Sequence, residues 1–303
     1  MTLQQLKYII EIVNCGSINE AASRLFITQP SLSKSVKELE NELGIEIFIR
    51  SNRGISLSAD GAEFLGYARQ VVEQSELLEQ RYLNKTPSKR LFSVSTQHYA
   101  FSVNAFVNLV KEFDQDEYEF ALRETKTHEI IEDVKNLRSE IGVIYLNDFN
   151  EKVINKILKD NELTFTHLFD ARPHIFLSID NPLAKKKSIK IEDLEPYPRV
   201  SFEQGTYNSF YFSEEILSTL SHKKNLLVSD RATLSNLLIG LHGYTITTGI
   251  LSVELNGSNL VSIPLESDEV IRLGYIKHKN VSLSIPAKKY IEQLEHYIKE
   301  YKY

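Results

Sequence analysis

Apolar spacing changes character near residue 90. Up to Tyr82 the apolar positions recur three and four residues apart, the period of a helix face; from Leu91 short strand-like runs alternate with amphipathic segments. Two patterns imply two folding units, and 303 residues suit about two domains of roughly 100 to 200 residues each. With 42% hydrophobic and 25% charged residues, the chain has enough apolar surface for ordinary packing. No stretch reaches the roughly 18 uninterrupted apolar residues of a membrane span, and Glu11 breaks the most apolar N-terminal segment, so no membrane partner is expected. A single cysteine, Cys15, and the lack of a basic start followed by an apolar run point to the cytoplasm.

A net charge of -6 would argue against a nucleic-acid partner only if it were evenly spread. Residues 1–58 hold six basic and six acidic side chains, so the whole negative excess lies in residues 59–303. Local placement therefore decides. Thr2 can cap a helix with Leu3, Leu6, Ile10 and Val13 on one stripe, ended at Cys15-Gly16. Ser17-Ile18-Asn19-Glu20 reads as a reciprocal capping box opening a short second helix, whose inner face is Ile18, Ala21, Ala22 and Leu25. The turn that follows, Phe26-Ile27-Thr28, lacks the glycine often found between two such helices.

Thr28-Gln29-Pro30-Ser31 opens a third helix, since proline is tolerated where first-turn amides have no partner. Leu32, Val36, Leu39 and Leu43 form its buried stripe. Gln29, Pro30, Ser31, Ser33, Lys34 and Lys37 remain for solvent at its N-terminal half, whereas the acids Glu38, Glu40 and Glu42 come later. That polarity suits a helix whose N-terminal end enters a major groove. Glu46–Arg50 and Ile55–Leu57 are short strand candidates around the turn Ser51-Asn52-Arg53-Gly54, a wing on which Arg50 and Arg53 can meet phosphate or a narrow minor groove. Three helices and a hairpin make a winged helix-turn-helix, a geometry also found in proteins that touch no DNA.

The strings themselves narrow the reading. Leu6-Lys7-Tyr8, Ser17-Ile18-Asn19-Glu20-Ala21-Ala22-Ser23-Arg24-Leu25, Thr28-Gln29-Pro30-Ser31-Leu32-Ser33, Leu39-Glu40-Asn41-Glu42-Leu43-Gly44 and Phe48-Ile49-Arg50 resemble LysR-type transcriptional regulators across the whole N-terminal domain. The resemblance implies base reading by Gln29, Pro30 and Ser33, with Lys34 and Arg53 as further contacts to double-stranded promoter DNA. Glutamine can pair with adenine through two hydrogen bonds, and proline or serine can meet a thymine methyl or base edge. Lys34 departs from the arginine common there and lacks its planar fork.

Ser58 can cap a long helix to about Tyr82. Its positions Phe64, Ala68, Val71, Ser75, Leu78 and Tyr82 alternate spacings of four and three, a seam for a partner helix or for another part of the same chain. LysR-type regulators use this helix to dimerise, so self-association as a dimer or tetramer is expected, with two recognition helices reading a pseudo-palindrome. Asn84-Lys85-Thr86-Pro87-Ser88 is hinge-like.

Beyond the hinge, Leu91–Thr96, Tyr118–Arg123, Ile141–Leu146, His174–Ile179, Asn225–Ser229 and Thr245–Thr248 read as strands, interleaved with amphipathic Glu129–Leu137 and Ser213–Leu220. This order predicts βα units with parallel sheet. Leu255-Asn256-Gly257 can start a hairpin turn, and residues 286–302 read as a final helix. Ligands of open α/β sheets sit beyond the carboxyl ends of strands. Ser95, Thr96, Gln97, Glu124, Thr125, Ser201, Gln204 and Thr247 fall at such ends and are the candidate binding residues. Hydroxyls and amides of this kind hold a small polar solute without supplying a nucleophile and base, although each could equally cap a neighbouring helix.

Asn181-Pro182-Leu183-Ala184 and Ile239-Gly240-Leu241-His242-Gly243-Tyr244 extend the LysR resemblance. It implies an α+β multidomain chain: a winged helix-turn-helix over 1–58, a linker and dimerisation helix with hinge over 59–88, and an effector-binding domain over 89–303. The last would have two α/β subdomains like those of periplasmic binding proteins, 89–165 with 268–303 and 166–267, enclosing a small-molecule co-inducer. Phe92–Phe106 and Ser229–Ile250 are similar to regulators of methionine uptake and sulphur metabolism in streptococci and related Gram-positive bacteria. Two other classes fit parts of the chain. An enzyme could use His98, Glu124, His128 and Glu129, yet no metal-ligand spacing or nucleophile elbow accompanies them, so no catalytic residue, metal or cofactor is expected. A solute-binding protein would share the C-terminal fold but not the winged head.

Overall fold

The computed structural model describes residues 1–51, 54–83, 89–250 and 259–300. The chain separates into two compact units, Met1–Ser88 and Lys89–Tyr303.

In the first unit, α1 (Leu3–Cys15) opens on a complete capping box: the Gln5 amide donates to Thr2 Oγ1 at 3.2 Å and the Thr2 amide donates to Gln5 Oε1 at 2.8 Å. Before α2 (Ile18–Arg24) the expected reciprocal box is only half made. Ser17 Oγ accepts the Glu20 amide, but the Glu20 carboxylate turns to Arg24 at 2.8 Å, one helical turn away, where a charged donor replaces a neutral one. Thr28 caps α3 (Gln29–Leu43), which Gly44 ends at φ 70°. Ile9, Ile12, Ala21, Ala22, Leu32, Val36 and Leu39 fill the space between the three helices.

The wing pairs β1 (Phe48–Ser51) with β2 (Gly54–Leu57) antiparallel. Glu40, expected among the outward acids, is instead a structural acceptor: its Oε1 receives the Ile47 and Phe48 amides at 2.8 and 3.1 Å and ties the wing to α3. The expected contacts of Arg53 and of the Arg50 side chain lie outside the described residues, as does the hinge 84–88.

Ser58 accepts the Gly61 amide at 2.8 Å and starts α4 (Ala59–Leu83). A Cβ on Gly61 would stand 2.1 Å from the Ile47 carbonyl oxygen, so only glycine lets the helix begin so close to the wing. The seam expected on α4 divides. Phe64 and Ala68 pack with Leu65 and Val72 against α1 and the headpiece core, because α1 needs a fourth helix to cover Leu3, Leu6 and Ile10. Val71, Leu78 and Tyr82 remain exposed at 51, 60 and 69%, joined by Tyr67 at 63%.

The second unit begins with β3 (Arg90–Thr96), α5 (Ala100–Glu112), β4 (Tyr118–Glu124), α6 (Thr127–Lys135), β5 (Ile141–Leu146), α7 (Glu151–Asp160) and β6 (Leu163–Ala171). The chain then builds β7 (His174–Ser178), β8 (Arg199–Phe202), β9 (Asn225–Val228), α8 (Arg231–Gly240), β10 (Tyr244–Thr247) and β11 (Leu260–Pro264). It returns as β12 (Ile271–His278) and α9 (Ile285–Glu300). Two five-stranded sheets result, in the orders β4-β3-β5-β12-β6 and β11-β7-β10-β8-β9. Both are mixed rather than parallel: β12 runs antiparallel to β5 and β6, and β7 to β10 and β11.

Two expectations need correction here. β6 pairs with β12 as far as Ala171, so the first crossing follows that residue instead of falling at 165/166; a strand needs its ladder partner along its whole length. The two crossings lie side by side, the Leu265 amide donating to the Pro173 carbonyl at 2.9 Å. Ser213–Leu220 is not a helix. A 3-10 turn covers Phe210–Phe212, after which Glu214, Glu215 and Ile216 are buried in succession and Leu217 adopts φ 56°; three consecutive buried residues cannot share one face of a surface helix. The expected turn at Leu255-Asn256-Gly257 lies outside the described residues.

Candidate functional site

At the start of α3 the residues expected to meet DNA share the side away from Leu32, Val36 and Leu39. Pro30, Ser31, Lys34 and Lys37 are exposed, and Gln29 and Ser33 half-buried. Gln29 Nε2 donates to Ser33 Oγ at 2.7 Å, which holds the amide across the helix face. Ser31 Oγ lies 2.8 Å from Thr28 Oγ1, within the cap, and Lys34 Nζ is 3.8 Å from Glu38, an exposed pair of small energetic weight.

In the second unit the eight expected binding residues do not converge. Ser95 is fully buried and donates to Asp133 at 2.6 Å; Thr96 donates to the Gln97 carbonyl at 2.8 Å. Gln97 is spent on Thr127 Oγ1 at 2.6 Å and on the Tyr145 amide and Tyr99 hydroxyl, both at 3.1 Å. Thr125 binds Glu129 in a surface groove. Ser201 and Gln204 line a separate polar cavity that also holds Arg199 and His222. Of the eight, Thr247 lines the cleft between the subdomains, and Gln204 and Glu124 bind residues of its walls.

That cleft is narrow, about 60 Å³, and lies beyond the ends of β3 and β10; His98 and Tyr99 form its wall on the first subdomain, and Phe202, Glu214, Glu215, Arg231 and Thr247 the opposite one. Polar contacts join its walls. Glu214 Oε2 accepts the His98 amide at 3.0 Å and sits 2.9 Å from His98 Nδ1, while the His98 ring stacks on Phe202 at 3.9 Å. Gln204 accepts the Thr127 amide at 3.1 Å and donates to Glu214 at 3.3 Å. Lys126 pairs with Glu203 at 3.2 Å and Arg231 with Glu124 at 2.8 Å. The last two atoms are buried and meet without hydrogen-bond alignment, so that pair is an attraction of charges alone. Two aromatic stacks, His128 on Tyr207 at 3.5 Å and Phe149 on Tyr211 at 4.7 Å, extend the closure.

Charge is concentrated here. Burial, with the Glu214 carboxylate adjacent, pushes Glu215 up to about 7 against the pull of Arg199. For His98 burial works downward, but the hydrogen bond and charge of Glu214 outweigh it and raise the imidazole above its ordinary value. Glu215 Oε1 accepts the Phe202 amide at 2.9 Å, and Arg199 donates to the carbonyls of Leu217 and Ile216, so the irregular 213–217 segment is pinned by ionic groups. The sequence reading missed Glu214, Glu215, Phe202, Lys126 and Arg231; two acids beside an isoleucine look like a solvated helix face until their partners, His98 for Glu214 and the Phe202 amide for Glu215, are known. The four residues weighed for catalysis point to separate partners: His98 to Glu214, Glu124 to Arg231, His128 to Tyr207 and Glu129 to Thr125.

Comparison with known families matches residues 3–62 to the bacterial regulatory helix-turn-helix protein, lysR family, and residues 99–298 to the LysR substrate binding domain. The chain belongs to the LysR family. It is a DNA-binding transcriptional regulator with an effector-binding domain. Among curated relatives, the HTH-type transcriptional regulator YvbU of Bacillus subtilis is 26% identical over 217 residues, 69% of each chain. The Hca operon transcriptional activator HcaR of Escherichia coli is 28% identical over 196 residues, 64% of this chain and 63% of the relative. These matches span about two thirds of the relatives' length. A cysteine mutant of OxyR from Corynebacterium glutamicum superposes over 99% of this chain and 94% of its own, with a TM-score of 0.58 at 18% identity, a likeness of fold. LysR regulators bind DNA and small-molecule effectors and form oligomers. Among the described residues no helix is long and apolar enough to cross a membrane.

Proposed function

We propose that two copies join along the exposed stripe of α4 and set two α3 helices in major grooves of a pseudo-palindromic site, and that a small polar metabolite in the cleft sets how well that pair fits. The observation that carries the regulatory half is the set of ion pairs and hydrogen bonds that close the cleft. His98, Lys126 and Glu124 reach from one subdomain to Glu214, Glu203 and Arg231 of the other, and a ligand entering there must displace or complete these pairs. Such a ligand has unequal affinity for the open and closed arrangements, which is what an effector requires. On the DNA side, Gln29, Pro30 and Ser33 meet base edges while Ser31, Lys34, Lys37, Arg50 and Arg53 meet phosphate or groove. Thr247 faces the metabolite; the sealed Ser95, Thr96 and Gln97 act behind it as the floor of β3, and Glu124, Thr125, Ser201 and Gln204 hold or flank the moving walls. The likeness of residues 92–106 and 229–250 to Gram-positive regulators of methionine uptake and sulphur metabolism makes sulphur amino acids the first ligands to examine.

Mapping bound genomic fragments and then titrating the strongest one tests the reading. Gln29→Ala should lose discrimination between that fragment and random DNA by roughly one to two orders of magnitude, the worth of a bidentate base contact. Equal loss on both would contradict base reading. A sulphur amino acid that neither raises the melting temperature nor alters binding to the fragment would remove the metabolic assignment.

A further inference from the structure

Phe26, in the turn between α2 and α3, is 96% exposed, more than any other large hydrophobic side chain among the described residues. Its neighbours behave differently: Leu25 and Ile27 pack against the headpiece core. The backbone explains why the middle residue points outward. The Ile27 amide donates to the Ala22 carbonyl at 3.0 Å and the Phe26 amide to the Ser23 carbonyl at 3.2 Å, the paired bonds of a Schellman end to α2. Phe26 occupies the left-handed position of that motif at φ 54°, the place normally given to glycine or asparagine because a Cβ is strained there.

The left-handed conformation serves the end of α2, but a phenylalanine there does not: its Cβ is strained and its ring is unburied. The ring stands two residues before the Thr28 cap and three before Gln29, so it adjoins the polar end of α3. A duplex that receives this end brings its sugar edges and groove rim to the same place, and deoxyribose and the thymine methyl are apolar surfaces that an aromatic ring can cover.

We propose that Phe26 is a DNA-contacting residue that packs its ring on the sugar or thymine-methyl surface at the rim of the groove entered by α3. The contact goes beyond the Gln29 and Ser33 readout while resting on the placement of α3. Because the ring is uncharged, its contribution displaces no counterions and is independent of salt, unlike that of Lys34 or Lys37. It selects for groove shape and thymine position, and it makes the turn a functional element in which foldability is traded for binding.

The experiment uses the full chain and a duplex selected by the wild-type protein from a random library, with affinity measured by fluorescence anisotropy over a range of salt. Phe26→Asn places a residue that tolerates the left-handed conformation. It should weaken binding roughly tenfold, equivalent to returning about 55 Å² of apolar surface to water. The slope of log affinity against log salt should be unchanged, and the melting temperature equal or higher. Phe26→Gly should give the same loss. Affinity within twofold of wild type, or a melting temperature that falls with affinity preserved, overturns the proposal. So does unchanged affinity with lost promoter activity, which would give the ring to a protein partner. Gln29→Ala measured alongside separates the two ideas: if it loses discrimination while Phe26→Asn binds normally, only the Phe26 contact is refuted, and if Phe26→Asn weakens binding while Gln29→Ala does not, the base reading fails and the ring contact stands.

Discussion

Replacing Glu215 by Gln keeps the side chain's shape and its acceptance of the Phe202 amide at 2.9 Å while removing a titration from the cleft wall. Burial, with Glu214 beside it, raises this carboxyl from 4.5 to about 7 in the folded chain. Below 4.5 folded and unfolded chains are both protonated and the group contributes no difference. As pH climbs from 4.5 to about 7 the unfolded chain gives up the proton while the folded chain retains it, so stability is progressively lost. At 1.36 kcal/mol per unit, the full displacement is about 3 kcal/mol. Glutamine carries no such liability. Glu215→Gln should therefore match the wild type near pH 4.5 and exceed it above neutrality, by about 3 kcal/mol or roughly 6 to 12 °C in melting temperature for a unit of this size. His98 acts with the same sign and remains in the variant: its raised value gives stability that is full below 6.5 and lost as pH rises through the folded value. Chemical and thermal melts of both proteins from pH 4.5 to 8, followed by circular dichroism, read the difference directly. A gap that does not change with pH, or a variant weaker than wild type at pH 8, would refute the buried-acid account of the cleft.

Two further outcomes test the first unit. Gly61→Ala forces a methyl group to within 2.1 Å of the Ile47 carbonyl, so α4 must shift off the wing, and thermal melts of the full chain should show the headpiece destabilised by about 1 to 3 kcal/mol. Val71→Glu with Leu78→Glu changes two side chains that are 51 and 60% exposed, and should leave melting intact while analytical ultracentrifugation shows dissociation of the oligomer; loss of folding instead would mean the stripe is internal packing.

How legible the parts were follows from the reach of the interactions that form them. Thr2, Ser17 and Thr28 each cap a helix from within three residues, and α3 starts and stops where Thr28 and Gly44 stand. The strands β3, β5 and β7 likewise begin within a residue of their expected starts, since a run of β-branched and aromatic residues is a local signal. β6, β8, β11 and β12 escaped notice because they carry no regular apolar alternation: β6 and β12 mix buried and open positions irregularly, and Arg199 and Ser201 of β8 are polar yet buried. On α4 the period showed a seam but not its owner; only packing revealed that Ala68 serves α1 while Val71 faces out.

The sequence alone determined the winged head, the long helix behind it and the polar face of α3, since each rests on bonds and spacings inside a single element. Tertiary structure decided the cleft. It sealed Ser95, Thr96 and Gln97 into internal hydrogen bonds, turned Glu214 and Glu215 inward from a segment with helical periodicity, and brought His98 to Glu214 across 116 residues of chain. A buried charge is tolerable only beside its partner, and which groups become partners is fixed when two sheets fold against each other.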